Sequence, residues 1–394
     1  MERPSVWVLV VVLLLGVLFL REPRFQRSEE VFLRWLLKNA QSSGKPPPLT
    51  VVEVGRDGRI EPLESALFLQ GVLEFKPTVV AIEPVLRWGE RNKEQEQIFI
   101  DQAMRVPKLL LGAELTATPD PDAPVAEIPG FAQVTGRRGD LPEFSGIVRQ
   151  PSEDVRVIST LGFVNLPNEI GDDIYVPLLF QYRGEVIPSF ALQAALLWLR
   201  LTPGEVKIDL GSFISLPNGT KIPIRSDGTL LVNPGVAKGA RHLSLNELLL
   251  AAQQHETGSS AGLRLEDIRN QIVLSRAPTN SSAPDAFAAA IGAIQTNSFV
   301  RRVSWVFDCA ALLIATALSG VFRRFSRADL LLGAVAFSAA YCLLALAILS
   351  RWSIWLPGWL PLGAVWISIL FAIILPKQKN SAHVVAIAAP PPAP

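Results

Sequence analysis

Four polar residues stand where a run of apolar, β-prone residues gives out. Glu53 and Asp57 follow Leu49-Thr50-Val51-Val52, Glu83 follows Val79-Val80-Ala81-Ile82, and Asn165 follows Leu161-Gly162-Phe163-Val164. Three carboxylates and an amide at strand ends could contact a small-molecule ligand. In open parallel sheets, ligands sit beyond the carboxyl ends of the strands. These four are therefore the candidate ligand-binding residues. The plain alternative is that they are solvated or cap adjacent loops, since charged side chains are mostly exposed.

As a catalytic pair these carboxylates lack a supporting motif. Gly55-Arg56-Asp57-Gly58 has neither the glycine spacing nor the following lysine of a phosphate loop. His242, His255 and His383 are scattered along the chain, so neither a nucleophile triad nor a metal centre is expected. The expectation is a protein that is not an enzyme and carries no cofactor. Asp308 is a different case, because it lies inside an apolar run. An ionisable group in a membrane span is costly and by default points to function or to a helix–helix partner. It lies near one end of its run, where interfacial water or Tyr341, Ser338 or Trp355 could satisfy it instead.

The elements that would position the four candidates alternate in type. Residues 49–54, 78–83, 108–112, 160–165 and 271–275 read as strands, and 62–76, 92–105, 244–253 and 284–300 as helices. Pro62 and Pro77 fit helix start and stop rules. Ser244 and Glu247 have capping-box spacing. Strand–helix–strand at this spacing predicts parallel pairing through right-handed crossovers. Residues 188–201 are apolar all round, but at that length they read as a core helix rather than a span. Short strands at 206–210, 222–224 and 229–233 are joined by turns at Asn218-Gly219 and Asp227-Gly228. Residues 117–158 show little periodicity. The fold class is thus α/β, a three-layer, largely parallel sheet.

Four apolar runs flank this region: 6–20, 303–322, 330–349 and 354–375. Spanning hydrocarbon takes about 20 apolar residues. The last three runs meet that length, and the first reads as an uncleaved signal anchor. Arg323, Arg324 and Arg327, with Lys377 and Lys379, put the loop between the second and third spans and the carboxyl terminus in the cytoplasm. Four spans then place the large domain outside the cytoplasm. The expected organisation is an anchor at 1–24, an extracytoplasmic domain at 25–302, three spans at 303–376 and a low-complexity cytoplasmic tail at 377–394. The domain contains no cysteine, since Cys309 and Cys342 lie in the runs, so disulfides are not part of its design. A net charge of +1 gives no reason to expect nucleic acid.

The order of segments across 30–302 resembles the type-2 CHASE domain, an extracellular sensory module of bacterial cyclases and kinases. The resembling stretches include Phe32 to Trp35, Lys76-Pro77-Thr78-Val79-Val80-Ala81-Ile82-Glu83 and Leu161-Gly162-Phe163-Val164-Asn165. They continue with Val176-Pro177-Leu178, Ile187-Pro188-Ser189-Phe190-Ala191-Leu192, Ile222-Pro223-Ile224 and Gly228-Thr229-Leu230-Leu231-Val232-Asn233. The strand Asn270-Gln271-Ile272-Val273-Leu274 and the helix over 286–296 close the match. Three spans after the domain also look like that family, which usually places a catalytic output beyond them. Here Glu83 stands where the family often has aspartate, Gly55-Arg56 where an aspartate follows the first strand, and Ser275-Arg276 where a glycine is common.

The resemblance implies a sensor in a bacterial inner membrane that binds a small-molecule ligand. No output domain follows the last span, so the message would pass to a separate partner, a kinase, cyclase or regulator; homodimerisation is left open. The alternative is a module that no longer senses and binds another envelope protein.

Overall fold

A strand buried on both faces has no polar side to present, and the apolar runs of this chain meet that condition. The computed structural model describes residues 23–40, 45–55, 60–89, 92–118, 128–166, 174–257, 266–278, 285–303, 306–307, 309–310, 313–314 and 326–374. Seven of its strands form one sheet: β1 (Leu49–Glu53), β2 (Val79–Ile82), β3 (Leu109–Thr116), β4 (Gly146–Arg149), β5 (Thr160–Phe163), β6 (Arg241–Ser244) and β7 (Ile272–Arg276). Their order is β6-β1-β7-β2-β3. The far edge of β3 is shared, pairing with β5 at 110–113 and with β4 at 114–116. Only the β3–β4 pairing is antiparallel.

Successive side chains alternate between the faces, which divides the core in two. Leu49, Val51, Val79, Ala81, Leu110, Ile272 and Leu274 share one cluster with α4 (Phe190–Leu199) and α6 (Ala286–Thr296). Val52, Val80, Ile82, Leu111 and Val273 share the other with α2 (Pro62–Leu73), α3 (Lys93–Ala103) and α5 (Leu245–Glu256). This is the expected three-layer arrangement. The chain also forms helices α1 (Pro23–Asn39), α7 (Arg327–Trp352) and α8 (Trp359–Ile374).

Residues 188–201 form a core helix, as their length predicts. Ser189 Oγ accepts from Leu192 N at 3.4 Å to start α4, and Arg200 at φ 60° ends it. The capping box at Ser244 is present: Ser244 Oγ accepts from Glu247 N at 3.2 Å, and Glu247 Oε2 accepts from Ser244 N at 2.7 Å.

Several expectations change. The aperiodic stretch at 117–158 contains short strands at Gln133–Thr135 and Glu143–Phe144, then β4 and a helical turn at Glu153–Val157. None is long enough to show a period. The final helix of the domain stops at Thr296 instead of Val300. Asn297 takes the left-handed conformation (φ 55°) that an asparagine tolerates at a helix end, and Ser298 N donates to Ala293 O at 3.0 Å. Helix α6 is therefore not continuous with the following apolar run. Instead Arg301 and Arg302 pair in parallel with Ile354 and Trp355.

The chain divides into two compact units, one made of 33–302 with 346–356, the other of 1–32, 303–345 and 357–394. In the second unit, the Glu29 carboxylate is 2% exposed and accepts from the backbone N–H groups of Gly358 (2.9 Å), Trp359 (2.9 Å) and Leu360 (3.3 Å). A helix start leaves such donors without intrahelical partners, and its dipole favours an anion there. The Tyr341 hydroxyl donates to the Pro357 carbonyl, and Trp366 Nε1 donates to Ser338 Oγ at 3.2 Å. Pro361 falls in the first turn of α8, where a missing N–H costs nothing. Pro357 and Pro361 thus mark the start of this helix.

Among the described residues, one helix, spanning Ala328–Trp352 within α7, is long and apolar enough to cross a membrane by length and composition. Leu331, Leu332, Val335, Leu343 and Leu344 on it are exposed. Helix α8 has 16 described residues, about 24 Å of rise. The run at 6–20 lies outside the described residues, as does most of 303–322.

Candidate functional site

Strands β1, β7 and β2 end level with one another. Glu53 is the register partner of Arg276, and Ser275 that of Ile82, so Arg276 stands between Glu53 and Glu83. The ladder continues past the strand ends: Val54 N donates to Arg276 O at 2.8 Å and Glu83 N to Ser275 O at 3.0 Å. Two strand spacings separate Glu53 from Glu83, about 10 Å between backbones. Close approach on the far side of Glu83 depends on Gly112, where a Cβ would lie 2.1 Å from Glu83 O.

Asp285, only 7% exposed, completes the group. Its Oδ1 accepts from Ala288 N at 3.0 Å and so caps α6. Its Oδ2 meets Arg276 Nη1 at 3.2 Å, an ion pair out of hydrogen-bond alignment. The Glu83 carboxyl sits beside this pair. Its Oε2 is buried and has no hydrogen-bond partner. Burial, and then the charge of Asp285, push its pKa up to about 8, while Arg276 opposes the rise. At neutral pH Glu83 is therefore mostly a neutral acid, able to release its proton to solvent or a ligand near pH 8. Strand β7 supplies the cation, β2 the neutral acid, and the start of α6 the anion.

The structure thus brings Glu53 and Glu83 to strand ends on either side of β7, with Glu53 exposed and Glu83 half-buried, its Oε2 atom fully covered. Asn165 is occupied otherwise. Its Oδ1 accepts from Leu115 N at 2.8 Å and its Nδ2 donates to Leu115 O at 2.9 Å. The amide acts as one more peptide unit beside the irregularity in β3 at Glu114 and Leu115. Asp57 and Asp308 lie outside the described residues.

Sequence reasoning missed Arg276, Asp285 and Glu29. An aspartate before an apolar helical run is a helix-start signal that could have found Asp285. Glu29 and Gly358 are 329 positions apart, and no local pattern links them. One run, Gly258-Ser259-Ser260-Ala261-Gly262, has the Gly-x-Ser-x-Gly spacing of a nucleophile elbow. It follows a helix, whereas that motif requires strand–turn–helix, and its residues lie outside the described ones. No family model matches the chain, and neither a curated protein nor a solved structure does.

Proposed function

We propose that this chain is a membrane-anchored extracytoplasmic sensor of the type-2 CHASE kind. Its α/β unit takes a small ligand at the carboxyl ends of β1, β7 and β2, and its four spans pass the response to a partner protein. The observation that carries this reading is Glu83 Oε2, a buried carboxyl oxygen without a hydrogen-bond partner beside the Arg276–Asp285 pair. A ligand that supplies a donor or a cation there relieves the cost of an unsatisfied buried group, on the order of 1–3 kcal/mol.

The same pair holds the first turn of α6. Rearranging Glu83 therefore acts on α6, and through 297–302 on the apolar run that follows. The exposed leucines of α7 support membrane anchoring, and the arginines at 323, 324 and 327 support a cytoplasmic loop.

The test is thermal denaturation of the full chain in detergent against a panel of small envelope metabolites. A ligand at a hundred times its Kd stabilises by about 2.7 kcal/mol. We expect at least one such shift, lost in the double variant Glu53→Lys/Glu83→Lys. A shift that survives the double variant moves the site elsewhere. If no compound shifts the protein, and only structural envelope proteins copurify with it after crosslinking, the non-sensing assembly module replaces this reading.

A further inference from the structure

Opposite the carboxyl ends of the strands, at their amino-terminal edge, a cavity of about 930 Å³ is lined by Arg34, Lys38, Lys45 and Lys238. Among the described residues, no carboxylate lines it. Its remaining wall includes Leu37, Ile174 and Val236, which are buried, together with Pro47. The polar residues Thr296 and Ser298 close it at the carboxyl end of α6.

Helix ends attract cations without any ligand, and this ordinary cause needs excluding. It accounts for a second basic cavity at the same edge, lined by Lys76, Lys108, Arg200 and Arg269. There, Lys108 Nζ already donates to Leu197 O at 2.6 Å in the last turn of α4, and Arg200 is the cap of that helix. The first cavity is different. Lys38 and Lys238 do stand in last turns, but the helix of Lys238 has only four residues, and Lys45 belongs to no helix. Arg34 and Lys38 stand one turn apart on α1 and so bring two positive charges to the same side of the cavity.

We propose that this cavity binds a phosphate ester, with the four cations on the phosphate and the apolar wall against a glycerol or acyl portion. The glycerophosphate headgroup of an anionic phospholipid has both parts. This inference stands apart from the sensor reading, since it uses none of Glu53, Glu83, Arg276 or Asp285.

The experiment titrates the full chain, held in a neutral detergent, with dihexanoyl phosphatidylglycerol below its micellar concentration. Glycerol 3-phosphate and inorganic phosphate are titrated separately. We expect saturable binding of the lipid that weakens as salt rises. We also expect an affinity loss of about tenfold or more in Lys38→Glu and in Lys238→Glu, the size of one charge-assisted hydrogen bond. All three lysines are exposed, so these variants should melt with the wild type, and Lys76→Glu serves as the control that keeps affinity. Inorganic phosphate binding as tightly as the lipid would assign the site to a free anion and overturn the headgroup. Absence of binding in all three arms, or equal loss in Lys76→Glu, would overturn the site. At pH 6, where Glu83 is protonated, Glu83→Gln should leave this binding unchanged, so a failure here is distinct from a failure of the sensor site.

Discussion

The protonation of Glu83 gives the sharpest prediction. Its folded pKa of about 8 lies above the ordinary value of 4.5. Folding therefore binds a proton between those values, and the stability this group contributes is full below pH 4.5 and lost as pH rises through 8. We expect unfolding free energy to decline over that window by a few kcal/mol, since each unit corresponds to about 1.4 kcal/mol. Glu83→Gln should remove most of the decline, leaving the variant more stable than the wild type at pH 9. Denaturation curves from pH 5 to 9 decide it, and an unchanged slope in the variant contradicts the assignment. The position of Glu83 was legible, because a carboxylate after a β-branched run marks a strand end. Its environment was not, because Arg276 and Asp285 arrive from a segment almost 200 residues later. Asn165 shows the converse: its place at a strand end was legible, but its use as a substitute peptide depends on an irregularity in β3.

At the scale of elements, local chemistry was legible where a start or stop signal was strong. The capping box at Ser244 is one case, and Ser244→Ala should cost about 1 kcal/mol. Asn297 is the other kind, a stop signal read past because the apolar pattern continues to Val300. Its positive φ suits asparagine or glycine, so Asn297→Gly should be nearly neutral and Asn297→Val should destabilise by about 1–2 kcal/mol. Equal melting temperatures for the two variants would show that the turn after α6 is not conformationally demanding. Strand β6 escaped notice because Arg241-His242-Leu243-Ser244 carries one apolar residue, as an edge strand with one buried side can. The helix start at α8 escaped because its anion, Glu29, comes from the other end of the chain.

For the whole molecule, the three-layer sheet follows from alternation of apolar runs and helices, and it was readable before any coordinates. The membrane arrangement rests on the hydropathy runs and on α7, the described helix that passes the length and composition test. The proposed topology makes a direct prediction. With Cys309 and Cys342 replaced by alanine, a cysteine at Ser326 should react with an impermeant reagent only from the cytoplasmic side. One at the exposed Lys221 should react only from the other side. Labelling of both from the same side contradicts the topology.

In the proposed sensor, the charge of Glu83 controls the first turn of α6 and, through it, the segment leading to the apolar run. Ionised Glu83 repels Asp285 and competes for Arg276, which weakens the cap on that helix. Hydrogen exchange on the full chain in lipid nanodiscs, wild type against Glu83→Gln and corrected for intrinsic rates, tests it. At pH 6 the two proteins should exchange alike. At pH 9 residues 285–303 should exchange faster in the wild type. Identical exchange over 285–303 at pH 9 would show that Glu83 does not control this helix.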